Sequence, residues 1–327
     1  MRGYVKKALR RIFPDRGPAV LGYHRVIDLD IDTWGMAVSP LDFENQIKQV
    51  SRYAREELSR LAVDGSSRRI HIVFDDGYVD NLEYALPILK RYHVPATVFL
   101  ATGFVGTGRE YWWDHLERIL LLPGKLPENL DLPFANGRLA VPLGRDWDYS
   151  EADFERYRHW RAWMAPPTMR HQVYSLLWYV LYRAEPAARD RLIAALDEWA
   201  SFDGSPRPGY APVTADQVRE MRKEGISFGA HTVNHLSFSQ YDEGLLSEEI
   251  RESITTVREI TGTECRIFSY PHGDIGGATG KRLLEKHGIE RAFTSKAGRI
   301  RRDQDPLLIP RYFVGNDGER LVRKLVG

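Results

Sequence analysis

Short apolar runs rich in β-branched residues alternate along this chain with stretches whose apolar residues recur every three to four positions. The runs predict strands at 19–26, 70–74, 94–100, 226–230, 266–270, 291–294 and 307–314. Between them the helical spacing predicts helices. Ser39-Pro40 caps one over 41–53, Leu82, Leu86 and Leu89 mark another over 78–92, and Thr214-Ala-Asp-Gln217 has the capping-box spacing for one ending near Glu224. Helices over 244–261 and 280–287 and a last short one behind Asp317 complete the set. Repeated strand–helix units predict a parallel α/β sheet, closed or open.

The alternation breaks in the middle. Seven of the eight tryptophans fall between Trp112 and Trp199, prolines interrupt the pattern, and helical spacing dominates from about 149 to 200. Asp76 and His231 are 155 residues apart, whereas the two intervening strand–helix units of a barrel need only ~60. The excess, about 108–212, reads as an insertion on a barrel loop. The expected organisation is therefore an arm at 1–16 and a barrel over 17–327 interrupted at about 108–212.

Composition narrows the picture less. The chain has 327 residues, 43% hydrophobic and 28% charged, ordinary for a globular protein, and its net charge of +1 gives no reason to invoke nucleic acid. Cys265 is the one cysteine, so no internal disulfide forms and an intracellular setting fits best. The first 13 residues lack the apolar core of a secretory signal. On a helix, Val5, Leu9, Ile12 and Phe13 share one side, with Lys6, Lys7, Arg10 and Arg11 over much of the rest. Such a segment rests on anionic lipid or docks on its own domain.

The candidate chemistry sits at strand ends. Ile70-His-Ile-Val-Phe74 runs into Asp75-Asp76-Gly77. Adjacent carboxylates repel unless a cation neutralises one and the other finds a proton or partner, and Gly77 lets the backbone turn so that both aim at one place. His231-Thr-Val-Asn-His235 puts two imidazoles four apart, also just after a strand. In a parallel sheet all such ends share one face. Two histidines and an aspartate make a three-ligand metal site with open positions. That donor set also occurs in non-haem iron oxygenases, although those carry it on another fold with histidine first.

A third segment, Phe268-Ser-Tyr270-Pro271-His272-Gly273-Asp274, again ends a strand. With it the sequence resembles the polysaccharide deacetylases, the family-four carbohydrate esterases with a NodB-type domain. Phe74-Asp75-Asp76-Gly77, His231-Thr232-x-x-His235 and Tyr270-Pro271-His272-Gly273 resemble the three family motifs, over about 19–107 and 213–316. The resemblance implies a distorted (β/α) barrel with fewer than eight strands that hydrolyses N-acetyl, sometimes O-acetyl, groups on sugars. It implies that Asp76, His231 and His235 bind one divalent metal, zinc first with cobalt, nickel or manganese as alternatives, and that Asp75 is the general base. Backbone N–H groups near Tyr270–His272 would hold the oxyanion, with Tyr270 and Pro271 against substrate.

Two departures stand out. The base-orienting arginine of many relatives is replaced at its aligned position by Ser269, leaving Arg311 as a substitute or as a surface salt bridge. No histidine follows His287, so His24 and His272 are the candidates for the acid that protonates the leaving amine. Trp112 and Trp113 are candidates for stacking on sugar. The expected substrate is an N-acetylated glycan or a lipid- or nucleotide-linked precursor, handled in the cytoplasm or on the inner face of the membrane. A cyclic-amide hydrolase on the same fold and a catalytically impaired glycan-binding relative are the alternatives.

Overall fold

The computed structural model describes residues 17–54, 58, 69–134 and 137–326, so the basic arm at 1–16 lies outside the described residues. The chain divides into two compact units. One comprises Met1–Asp28, Ala37–Val105 and Val213–Gly327; the other comprises Leu29–Met36 and Gly106–Pro212.

The first unit is built on seven parallel strands: β1 Ala19–Tyr23, β2 Ile70–Phe74, β3 Ala96–Leu100, β4 Ser227–Ala230, β5 Ile267–Ser269, β6 Arg291–Phe293 and β7 Tyr312–Phe313. Their order in the sheet is β6-β5-β4-β3-β2-β1-β7, so each strand pairs with its predecessor except the last, which returns to β1. Segment 306–313 reaches both edges. Ile309 bridges Phe293, its N–H donating to the Ala292 carbonyl at 2.9 Å, while Tyr312 and Phe313 pair with Leu21 and Gly22. The sheet thereby curls back on itself as a seven-stranded (β/α) barrel.

Strands buried on both faces read as continuous apolar runs because neither face meets water. Ile70, Ile72 and Phe74 join the larger core cluster. Val73, one position out of phase, belongs to a smaller cluster with Val20, Phe99, Phe293 and Ile309, drawn from four strands and the closing segment. The helices are α1 Pro40–Val50, α2 Leu86–Tyr92, α3 Ala215–Lys223, α4 Glu243–Thr261, α5 Gly277–Lys286 and α6 Glu319–Val326. The Ser39 side chain caps α1 by accepting from the Asp42 N–H at 3.0 Å, and the Thr214–Gln217 capping box opens α3. The helix expected over 78–92 begins as a π-helical turn, Asn81–Ala85, before α2. Pro87 has no N–H to return to the preceding turn, and the Leu86 N–H reaches back five residues to Asn81.

The second unit holds helices Trp112–Leu121, Glu151–Tyr157, Met169–Arg183 and Pro186–Ala200. It also contains an antiparallel hairpin, Asn129–Phe134 with Gly137–Pro142, which the sequence reading does not anticipate. Only Leu130 and Leu132 of its first strand are buried, and Pro133, Gly137 and Pro142 break the alternation. Among the described residues no helix is long and apolar enough to cross a membrane.

Candidate active site

β2, β4 and β5 deliver the site from their C-terminal ends. Leaving β2, the Asp75 N–H still donates to the Tyr23 carbonyl at 3.0 Å, as if the strand continued. Asp76 and Gly77 then turn through positive φ, 72° and 87°. A side chain at Gly77 would put its Cβ 2.6 Å from Leu100 Cδ2, so glycine is required twice over. Among the described residues six non-glycine residues have positive φ, and four of them, Asp76, Thr232, His235 and His272, lie at these strand ends. Such backbone persists only where the surroundings over-determine it, and it concentrates at functional sites.

Asp76, His231 and His235 are all buried, and one ligand atom from each falls within 4.8 Å of the others. Asp76 Oδ1 stands 3.6 Å from His231 Nε2 and 3.4 Å from His235 Nε2. Two ligands about 2.0–2.1 Å from a tetrahedral ion lie about 3.3 Å from each other, so these spacings suit a shared cation. The His231 Nδ1 lies 2.6 Å from the Ser269 carbonyl. With the proton on Nδ1, Nε2 keeps a lone pair aimed at the cluster. Burial pushes the His231 pKa down, against the opposing pull of Asp75 and the Ser269 carbonyl, which favours the neutral, ligating ring. The donor set and its geometry fit a divalent metal.

Two carboxylates, Glu249 buried and Asp274 half-buried, fix the loops that carry these ligands. Glu249 on α4 accepts from the Val233 N–H (2.9 Å), the Asn234 N–H (2.8 Å) and Asn234 Nδ2 (2.6 Å). Asp274 accepts from the Ser237 hydroxyl, the Ser239 N–H and the Gly276 N–H. Asp80 does the same for the segment after β1, taking Arg25 Nε at 2.9 Å and the Val26 N–H at 3.0 Å. None of the three is a candidate from sequence, because each acts on backbone far along the chain.

Arg311 answers the question that Ser269 leaves open. It is fully buried and donates Nη1 and Nη2 to the two Asp75 oxygens at 2.8 and 2.9 Å, while its Nε donates to the Thr294 carbonyl at 3.1 Å. This is a buried fork, not a surface salt bridge. Burial alone would raise the Asp75 pKa, but Arg311, helped by His231 and His24, overrides it and holds the carboxyl at about 2. His24 stacks on Phe313 at 4.9 Å, and the Arg311 guanidinium lies 4.8 Å above the same ring. Burial lowers the His24 pKa to about 4 despite the nearby Asp75. His272 is exposed, its ring 4.4 Å from that of His235.

Other expected contacts are corrected. Tyr270 is fully buried, packed edge-on against Phe238 and Phe268, and Pro271 is buried too, so neither side chain presents a surface to substrate. The Tyr270 N–H is spent on the Phe293 carbonyl at 3.1 Å and Pro271 has none, so neither can serve an oxyanion. Trp112 and Trp113 lie in the second unit at 5% and 6% exposure. Trp113 stacks on Tyr111 at 4.6 Å, and Trp112 packs against Trp113, Trp178 and the Arg189 guanidinium. Their ring faces are occupied by protein.

A profile of the polysaccharide deacetylases matches residues 62–121 and 198–292, the segments that carry both aspartates, both metal-site histidines and the Tyr270–His272 strand end. Over these two segments the chain is similar to the polysaccharide deacetylases. YxkH of Bacillus subtilis, classed as a polysaccharide deacetylase, is 30% identical over 92 residues, 28% of this chain and 33% of that protein, so the match spans about a third of the relative. Solved structures agree in fold across the family. The Streptococcus pyogenes deacetylase PplD in complex with acetate aligns at TM-score 0.57 and 15% identity over 95% of this chain and 98% of its own. IcaB from Ammonifex degensii aligns at 0.57 and 18% over 95% and 97%. The polysaccharide deacetylase BC0361 from Bacillus cereus aligns at 0.58 and 15% over 95% and 69%.

Proposed function

We propose that this chain is a metal-dependent hydrolase that removes the N-acetyl group of a hexosamine in a surface glycan or in its lipid- or nucleotide-linked precursor. The observation that carries this reading is the division of labour between adjacent aspartates. Asp76 converges with two imidazoles, while Asp75 is turned away into a buried bidentate arginine. Asp76, His231 and His235 would hold a divalent cation, zinc by the preference of such donors, and its chemistry there would be Lewis acidity and a lowered pKa for water. Asp75, held at about 2, is ionised near neutral pH, and the Arg311 fork leaves it one orientation from which to take that proton. Loss of the acetyl group as acetate then needs a proton on the departing nitrogen. His24 is held deprotonated down to about 4, which disfavours it as the donor. His272, exposed beside His235, is the acid we assign. An acetate-release assay over soluble and lipid-linked N-acetylhexosamines, with zinc added and with zinc chelated, tests the reading. Release that requires the metal supports it; no release from any of these substrates by the zinc-loaded protein would sink it.

A further inference from the structure

The second unit carries a surface that the deacetylase reading leaves unused. Residues 156–184 contain five arginines, at 156, 158, 161, 170 and 183, and no aspartate or glutamate, within a chain whose net charge is only +1. Arg170 is buried among backbone carbonyls and Arg158 is paired with Glu155, but Arg156 and Arg183 are exposed and Arg161 is half-buried. Inside this basic stretch the run Trp163-Met-Ala-Pro-Pro167 is exposed at all five positions, with Trp163 at 67% and Met164 at 51%. The helix Met169–Arg183 follows, showing Leu176 and Tyr179 on its open side at 39% and 55%.

The surface is held rigid from beneath. The Ala162 N–H donates to the Thr33 carbonyl at 3.0 Å, Gly35 lies under the Trp163 ring, and Trp34 packs on Trp178 at 4.6 Å and donates Nε1 to the Tyr174 hydroxyl. Trp178 in turn stacks on Tyr182 at 5.1 Å. These contacts fasten the loop to the helix through Trp34, on the side that carries Tyr174 and Trp178.

We infer that these exposed groups, Trp163 and Met164 on the loop and Leu176 and Tyr179 on the helix with Arg156, Arg161 and Arg183, together dock the protein on an anionic phospholipid bilayer. Tryptophan, tyrosine and arginine are the residues that settle at the headgroup boundary, where an amphipathic ring meets both water and acyl chain. Each arginine near an anionic surface adds attraction that falls away within a Debye length. A glycan fits these groups less well. The carboxylates beside the stretch, Glu155 and Asp30, are paired with Arg158, and the Trp34, Trp178 and Tyr182 rings are packed against one another.

The inference is independent of the hydrolytic reading, because its test measures only partitioning. The full chain is sedimented with vesicles of phosphatidylcholine alone and of phosphatidylcholine with phosphatidylglycerol at 3:1, each at low and high salt. The wild type should partition onto the anionic vesicles and lose much of that binding at high salt. Trp163→Ser with Met164→Ser should weaken partitioning about tenfold. Leu176→Gln with Tyr179→Gln tests the same surface from the helix, and Arg156→Gln with Arg183→Gln should cost about fivefold per arginine and flatten the salt dependence. Circular dichroism checks that each variant is folded. Wild-type partitioning by all three folded variants would overturn the inference, as would a wild type that ignores anionic vesicles or is retained instead by an N-acetylhexosamine polymer.

Discussion

The Arg311 guanidinium is buried to remove every alternative for Asp75, and single substitutions at this pair are the sharpest tests of the site. Asp75→Asn should retain metal, since the residue is outside the ligand cluster, yet lose about 100- to 10,000-fold in turnover. Elemental analysis beside an acetate assay reads both; a near-normal rate in metal-loaded protein would remove the base assignment. Arg311→Met leaves a buried carboxylate unanswered and should cost about 3–5 kcal/mol in urea denaturation. The pH dependence follows from the same groups. A carboxyl depressed to about 2 in the folded state stabilises it above its unfolded pKa and loses that contribution as pH falls from near 4 through about 2. His24, depressed from 6.5 to about 4, has the same sign at higher pH. Its contribution is complete above 6.5 and erodes as pH falls toward 4. Unfolding free energy should therefore begin to decline below pH about 6.5, and His24→Phe should flatten that part of the curve.

At the scale of loops and helices, the ligands depend on residues that never touch the metal. Glu249→Ala removes three hydrogen bonds from the Val233–Asn234 turn between the two histidines. Metal affinity, measured by chelator competition, should fall about 10- to 100-fold while circular dichroism stays unchanged. Asp76→Ala, His231→Ala and His235→Ala should lose the metal outright and keep the fold, because apolar strands make the core. Full occupancy in any of them would count against the ligand set. The candidate ligands could be named from the sequence because each stands directly behind an apolar run, and a parallel sheet gathers such positions on one face. Glu249 and Asp274 could not, since a carboxylate that caps loop N–H groups resembles any acidic residue on a helix or turn. Arg311 could be named but its partner could only be guessed at, and Trp112 and Trp113 were misplaced because sequence does not distinguish a stacked core tryptophan from an exposed one.

For the molecule as a whole, residues 1–16 and the proposed surface on the second unit each combine basic and apolar residues in the sequence. Removing residues 1–16 should lower binding to anionic vesicles in a salt-dependent way, by about 1 kcal/mol for each of Lys6, Lys7, Arg10 and Arg11 that reaches the surface. Turnover of soluble substrate should be unaffected, and undiminished vesicle binding would show that the arm does not contribute.

The strip that returns from β6 to β1 has a consequence for the order of events in synthesis. Asp75 and Arg311 are 236 residues apart, and Arg311 sits between Ile309, which meets one edge of the sheet, and Tyr312, which meets the other. A growing chain makes the carboxylate 236 residues before the guanidinium. Until that late strip arrives, the nascent protein has two unpaired strand edges and an aspartate that burial alone would push toward the protonated form. Zipping the final edge and pairing Asp75 with Arg311 are then a single event, so a chain stopped before the strip would lack the proposed base in its ionised, oriented form and would also be the species most prone to aggregate.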